Sequence, residues 1–75
     1  MKFSYSIDEE NYHGEFSTAD EAAAVGACYE TTGQTIYVGE NVPLKKPEDD
    51  LRREFWLVQN VVEYVVSEDG TAKRK

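Results

Sequence analysis

Polar and apolar residues alternate at the start of the chain. Phe3, Tyr5 and Ile7 are separated by Ser4 and Ser6, the period-two signature of a half-buried strand. The pattern predicts a strand over residues 2–7. Asp8-Glu9-Glu10-Asn11 reads as a turn, and Tyr12 to Phe16 as a short return strand over 12–16 with Gly14 as a bulge or bend. At Ser17 the pattern changes. Thr18 stands three residues before Glu21, the spacing of a capping box, and an alanine-rich run follows. A helix is predicted over 18–31, stopping near Thr31-Thr32-Gly33 with the glycine as a left-handed cap. Its face is small (Ala19, Ala22, Ala23, Gly26, Ala27), so a sheet or a helix can approach closely, with Gly26 at the closest contact. Thr35-Ile36-Tyr37-Val38 lies between glycines and predicts a third strand over 34–38. Glu40 to Lys46, with Pro43, reads as an irregular connection.

The valine-rich stretch from Leu51 to Val66 is the ambiguous one. Its residue types favour strand, but propensity is a weak guide. On a helical wheel Leu51, Phe55, Leu57, Val58, Val61, Val62, Val65 and Val66 fall within about 180° of arc, with Arg52, Arg53, Gln59, Asn60 and Glu63 opposite. Pro47 suits a first helical turn, Glu48-Asp49-Asp50 suit the helix dipole, and Glu48–Arg52 and Asp49–Arg53 are spaced i to i+4. The pattern therefore predicts a second helix over 47–67. Glu54 falls inside its apolar arc, and Trp56 sits near the centre of its polar face. The expected architecture is α+β: a small antiparallel sheet of two or three strands packed by two helices. Residues 1–72 would form one domain and 73–75 a basic C-terminal tail.

Composition narrows the function classes. A chain of 75 residues is a single small domain, for which one core leaves roughly 3–5 kcal/mol of net stability. Cys28 is the only cysteine and His13 the only histidine, so neither an internal disulfide nor a closed zinc site can be built. No cofactor or metal is expected. Net charge is −7, unevenly spread. Residues 1–50 carry 11 acids and 3 bases, a balance of −8, whereas residues 51–75 carry 4 acids and 5 bases, or +1. Direct nucleic-acid binding is disfavoured, because phosphate contacts need a basic face. A basic protein partner suits the charge better. The N-terminus has no apolar run behind basic residues, no stretch approaches a membrane span, and a lone cysteine fits a reducing compartment. A cytoplasmic location is expected.

Candidate chemistry is sparse. Cys28 reads as a small core residue of the alanine-rich helix and His13 as a turn or edge residue, with nothing in their spacing to pair them. Asp8-Glu9-Glu10 and Glu48-Asp49-Asp50 lack the alternating ligands of a calcium loop and read as a solvated turn and a helix start. The five tyrosines could stack bases, but acidic surroundings would repel the nucleic-acid backbone. Trp56 is the informative singleton, since tryptophan is enriched at interface hot spots. The candidate protein interface is Arg52, Trp56, Gln59, Asn60 and Glu63. No catalytic, cofactor-binding or metal-ligating residue is assigned.

The stretch from Tyr5 to Thr18, followed by Asp20-Glu21-Ala22, resembles the opening of small uncharacterised proteins encoded by tailed phages and prophages. Gln34-Thr35-Ile36-Tyr37-Val38-Gly39-Glu40 and Val42-Pro43 match the later part of that pattern. The resemblance covers about residues 3–43, and the valine-rich segment with Trp56 departs from it. It implies a non-enzymatic accessory protein with no catalytic residues to carry over. Joined to the charge, it leads to the expectation of a protein that binds a host or phage protein. Inhibition of a nucleic-acid-handling or defence protein is one concrete version. The alternative is a self-associating, homodimeric structural module.

Overall fold

The computed structural model describes residues 1–44 and 55–75. Its elements are β1 (Lys2–Ser6), β2 (His13–Phe16), α1 (Ala19–Ala27), β3 (Thr35–Leu44), β4 (Phe55–Val66) and β5 (Ala72–Arg74). The strands form one sheet in the order β2-β1-β3-β4-β5, antiparallel at every pairing. Helix α1 lies on one face. The core is the layer between them: Ala22, Ala23 and Ala27 from the helix meet Ile36, Val38, Tyr64 and Val66 from the sheet. Phe3, Tyr5, Phe16, Val62 and Ala72 pack around this layer.

The expected two helices on a two- or three-stranded sheet are not found. Among the described residues the fold is mostly β, a five-stranded sheet with a single short helix. The second helix, expected over 47–67, is a strand from Phe55 to Val66, and residues 47–54 of that expectation lie outside the described residues. The cause is a break in the alternation. Val38 pairs with Val62 and Glu40 with Gln59, so Asn60 and Val61 together face Gly39. One extra residue shifts the period-two pattern by one, and read straight through, the apolar clusters fall three and four residues apart. The polar residues lie on both faces, and two of them find side-chain partners on neighbouring strands. Asn60 Nδ2 donates to Glu40 Oε1 at 3.1 Å, and Lys75 Nζ donates to Glu63 Oε1 at 3.2 Å. With those groups satisfied, β-branched residues take the extended backbone they pack best in.

The first two strands end close to where alternation put them, at Ser6 and Phe16. The third is longer than expected. It runs to Leu44 and includes Glu40 to Pro43, where an irregular connection was expected. Pro43 is tolerated because β1 stops pairing at Asn41, so among the described residues β3 has only β4 beside it beyond that point. Residues 73 and 74, expected in a tail, belong to β5, which pairs with Tyr64–Val66.

Helix α1 is shorter than expected. Thr18 caps it, its Oγ1 accepting from Glu21 N at 3.1 Å. It ends at Ala27 with Cys28 as C-cap in an ordinary right-handed conformation. Gly33, expected to be the left-handed cap, has φ +92° but stands in the turn into β3 instead. Gly26 and Cys28 are poor helix formers, so the last turn has little propensity to prolong it. Because the buried face stops at Ala27, Cys28 is exposed rather than in the core. Gly26 is the point of closest approach, as expected: a Cβ there would stand 2.8 Å from Ile36 Cγ2 and 3.1 Å from Tyr5 Cδ2.

Candidate functional site

The helix covers one face of the sheet; the other has no helix among the described residues. A transverse row of residues organises that second face. Phe3 pairs with Phe16 and Tyr5 with His13, so Gly14 and Glu15 together face Ser4. Ser4 in turn pairs with Gly39, which faces Asn60 and Val61. Two bulges, one on β2 and one on β4, therefore flank two small residues in the same row. Each bulge needs a left-handed residue, supplied by Gly14 at φ +88° and Asn60 at φ +54°. Asparagine is among the few non-glycine residues that tolerate this conformation.

Bulges aim side chains away from the ladder, and here they surround a hollow. A pocket of ≈ 290 Å³ is lined by Ser4, Tyr12, Gly14, Glu15, Asn41 and Val58. Its polar floor is tied together. Ser4 Oγ donates to Asn41 Oδ1 at 2.6 Å, and Asn41 Nδ2 donates to the Gly14 carbonyl at 3.1 Å. Ser4 and Asn41 are buried, and the network answers the carbonyl that the β2 bulge displaces from regular pairing. Gly39 leaves the room that Val58 and Val61 occupy. A Cβ there would collide with Val58 Cγ1 and stand 3.2 Å from Val61 Cγ2.

The rest of the face is aromatic, apolar and acidic at its middle, with Lys2 beside Asn41 at one end and Lys73 and Lys75 beside Val65 and Glu63 at the other. Tyr37 and Glu63 are paired across β3 and β4 beside Ser6, and Val61 is 42% exposed. Desolvation first, then the Glu9 carboxylate, Tyr37 and Asp8, push the Tyr12 hydroxyl above its ordinary pKa. Tyr37 is raised by desolvation and by the Glu9 and Glu63 carboxylates. Both phenols stay protonated at neutral pH, as donors facing an acidic rim. Asp8 orders that rim. Its carboxylate accepts from the backbone of Asn11 and Glu10, from Ser6 Oγ and from Asn11 Nδ2. Those bonds, the two backbone ones above all, hold it well below the usual carboxylate range.

Beyond Asn41 the paired β3 and β4 run past β1, carrying Leu57 at 47% exposure. On its other side β4 is paired by β5 only at Tyr64–Val66, so among the described residues its outer edge is open from Phe55 to Val62. A hollow of ≈ 370 Å³, lined by Val61, Val62, Glu63, Arg74 and Lys75, marks where β5 ends.

The residues expected to form an interface do not share a helical face, since β4 is extended. Gln59, Asn60 and Glu63 are exposed on β4. Gln59 is opposite Glu40, Glu63 is opposite Tyr37 on the helix-free face, and Asn60 sits at the bulge. Trp56 pairs through its backbone with Pro43; Arg52 lies outside the described residues, as do Glu48-Asp49-Asp50 and Glu54. His13 opens β2, its ring 5.6 Å from that of Tyr5, and no hydrogen bond joins it to Cys28 at the far end of α1. Among the described residues no group of three or more His, Cys, Asp or Glu side chains could hold a metal ion, and no helix is long and apolar enough to cross a membrane. Reading the sequence missed Tyr12, Glu15, Asn41 and Val58 as a group. The signal was present only in part: Gly14 was readable as a bulge, but its alignment with a second bulge at Asn60 depends on strand order.

No family model, curated protein or solved structure matches the chain.

Proposed function

We propose that the protein is a non-enzymatic binding module of the phage or prophage accessory type, acting in the host cytoplasm on a basic protein. The helix-free sheet face is its recognition surface. One observation carries this reading. Exposed Val61 and half-buried Val58, Tyr12 and Tyr37 lie together on that face within a rim of Asp8, Glu9, Glu15 and Glu63. An apolar and aromatic centre inside a polar rim is the anatomy of a protein interface. A chain of net charge −7 steers positively charged partners toward it. A host nucleic-acid-handling or defence protein, which carries a basic surface to grip phosphate, has the complementary charge.

Site-specific photocrosslinking tests it. A photoreactive phenylalanine analogue at Val61 should capture one basic protein in bacterial cells, whereas the same group at Thr71, in the β4–β5 turn, captures none. Equal capture at both positions, or capture at neither, sinks the reading.

Exposed Leu57 and the open β4 edge favour a second reading, self-association by edge pairing. Sedimentation at micromolar concentration decides it: a monomer in the wild type removes the homodimer.

A further inference from the structure

The geometry points to the pocket between the two bulges as a receptor for a single arginine side chain of the partner. The inference rests on the proposed basic protein partner and names what that partner inserts. At ≈ 290 Å³ the pocket lies at the bottom of the range for small-molecule sites, about 300–1,000 Å³. One arginine side chain fits within it. Its lining divides as an arginine does. Val58 offers an apolar wall for the methylene stem, and Tyr12 an aromatic ring for the guanidinium. Glu15 supplies the carboxylate, the one ionised group among the lining residues at neutral pH.

Three features make Glu15 available. It is exposed on the edge strand β2. Among the described residues no cation lies within salt-bridge distance of it, the sole ion pair there being Lys75–Glu63. The bulge also places it beside the pocket mouth in the same row as Ser4. Asn41 contributes the remaining acceptor. Its Oδ1 takes one hydrogen bond, from Ser4, and has a second lone pair to offer. A carboxylate and a carbonyl about a flat hollow suit the planar fork of arginine better than the point charge of lysine. An acidic side chain is repelled by the Glu15 carboxylate, and a neutral one leaves that carboxylate without a counter-charge.

The experiment is a titration of the full chain, followed by amide NMR shifts, with the capped tripeptide acetyl-Gly-Arg-Gly-amide. The lysine and citrulline counterparts serve as comparisons. The expected result is saturable shifts centred on Ser4, Gly14, Glu15 and Asn41, strongest for arginine and weakest for citrulline. Glu15→Gln should weaken arginine binding about three- to fivefold, the worth of one partly exposed ion pair. Shifts spread equally over the Asp8 turn and the first turn of α1, or a Glu15→Gln variant that binds as well as the wild type, overturn the assignment. If the photoreactive group at Val61 captures a basic protein with Glu15 intact while the tripeptide does not bind the wild type, only the pocket fails. Loss of both signals in the wild type removes the recognition face itself.

Discussion

The two halves of β4, divided at Asn60, are built from similar residues and live in different surroundings. Val62, Tyr64 and Val66 lie under α1, between β3 and β5 over the last turn of the ladder, with Tyr64 and Val66 almost fully buried. Leu57 and Val58, three and two residues before Asn60, have β3 as their strand neighbour, and Leu57 stays half in water. The chemistry of the side chains does not separate the halves. What separates them is whether a helix and a second strand reach that far. A valine-rich strand is thus core at one end and available surface at the other, and the bulge is the border.

The comparison can be broken most directly by truncating one residue on each side. Ile36→Ala, in the fully buried layer under the helix, should cost about 3 kcal/mol. That is most of the roughly 3–5 kcal/mol such a domain has, so an unfolded population should appear in its amide spectrum and its urea midpoint should fall toward zero. Leu57→Ala should stay within about 0.5 kcal/mol of the wild type by urea denaturation. Equal losses would mean that the projecting part of β4 is core after all. Filling the gap at the border comes next. Gly39→Ala sets a methyl against Val58 and Val61 and should cost about 1–3 kcal/mol by overpacking. Adding Val58→Ala should recover part of that loss, and a double variant no better than the single would show that Val58 is not what Gly39 accommodates.

The border residue gives a smaller effect. Asn60→Val forces a β-branched side chain into φ +54° and should cost about 1–2 kcal/mol. Asn60→Gly, which keeps the backbone conformation, should stay within about 0.5 kcal/mol. If valine is tolerated as well as glycine, the bulge is not a left-handed one. The smallest effect concerns the rim and acid. The folded-state pKa of Asp8 lies below its unfolded value, so its contribution is complete above the unfolded value of about 3.9 and is lost as pH falls below it. Thermal midpoints should therefore drop between pH 5 and pH 2.5 more for wild type than for Asp8→Asn. Parallel curves would show that the carboxylate does not order the turn.

Much of the local structure was legible before any coordinates. Alternation found β1, the spacing of Thr18 and Glu21 found the start of α1, and Gly14 and Gly26 were correctly read as a bend and a close contact. These features depend on neighbours within a few positions, where side-chain period and backbone preference act directly. The strand Phe55–Val66 was misread because a bulge imitates a helical period, and only the pairing partner across the ladder distinguishes the two. Cys28 was misplaced because a helix that ends about one turn early turns a buried position outward. The three-residue β5 carried too short a pattern to notice.

The sequence by itself determined an acidic chain with a capped helix whose small face lets a neighbouring element come close. Those properties are sums over residue types or local repeats, and they hold whatever the topology. The tertiary structure alone decided that β1 lies between β2 and β3, and this order brings the bulges at Gly14 and Asn60 into one row. Tyr12 and Glu15, Asn41, and Val58 come from three separate places in the chain, and no period or spacing relates the three. Hydrogen bonding between strands far apart in sequence gathers them around one hollow.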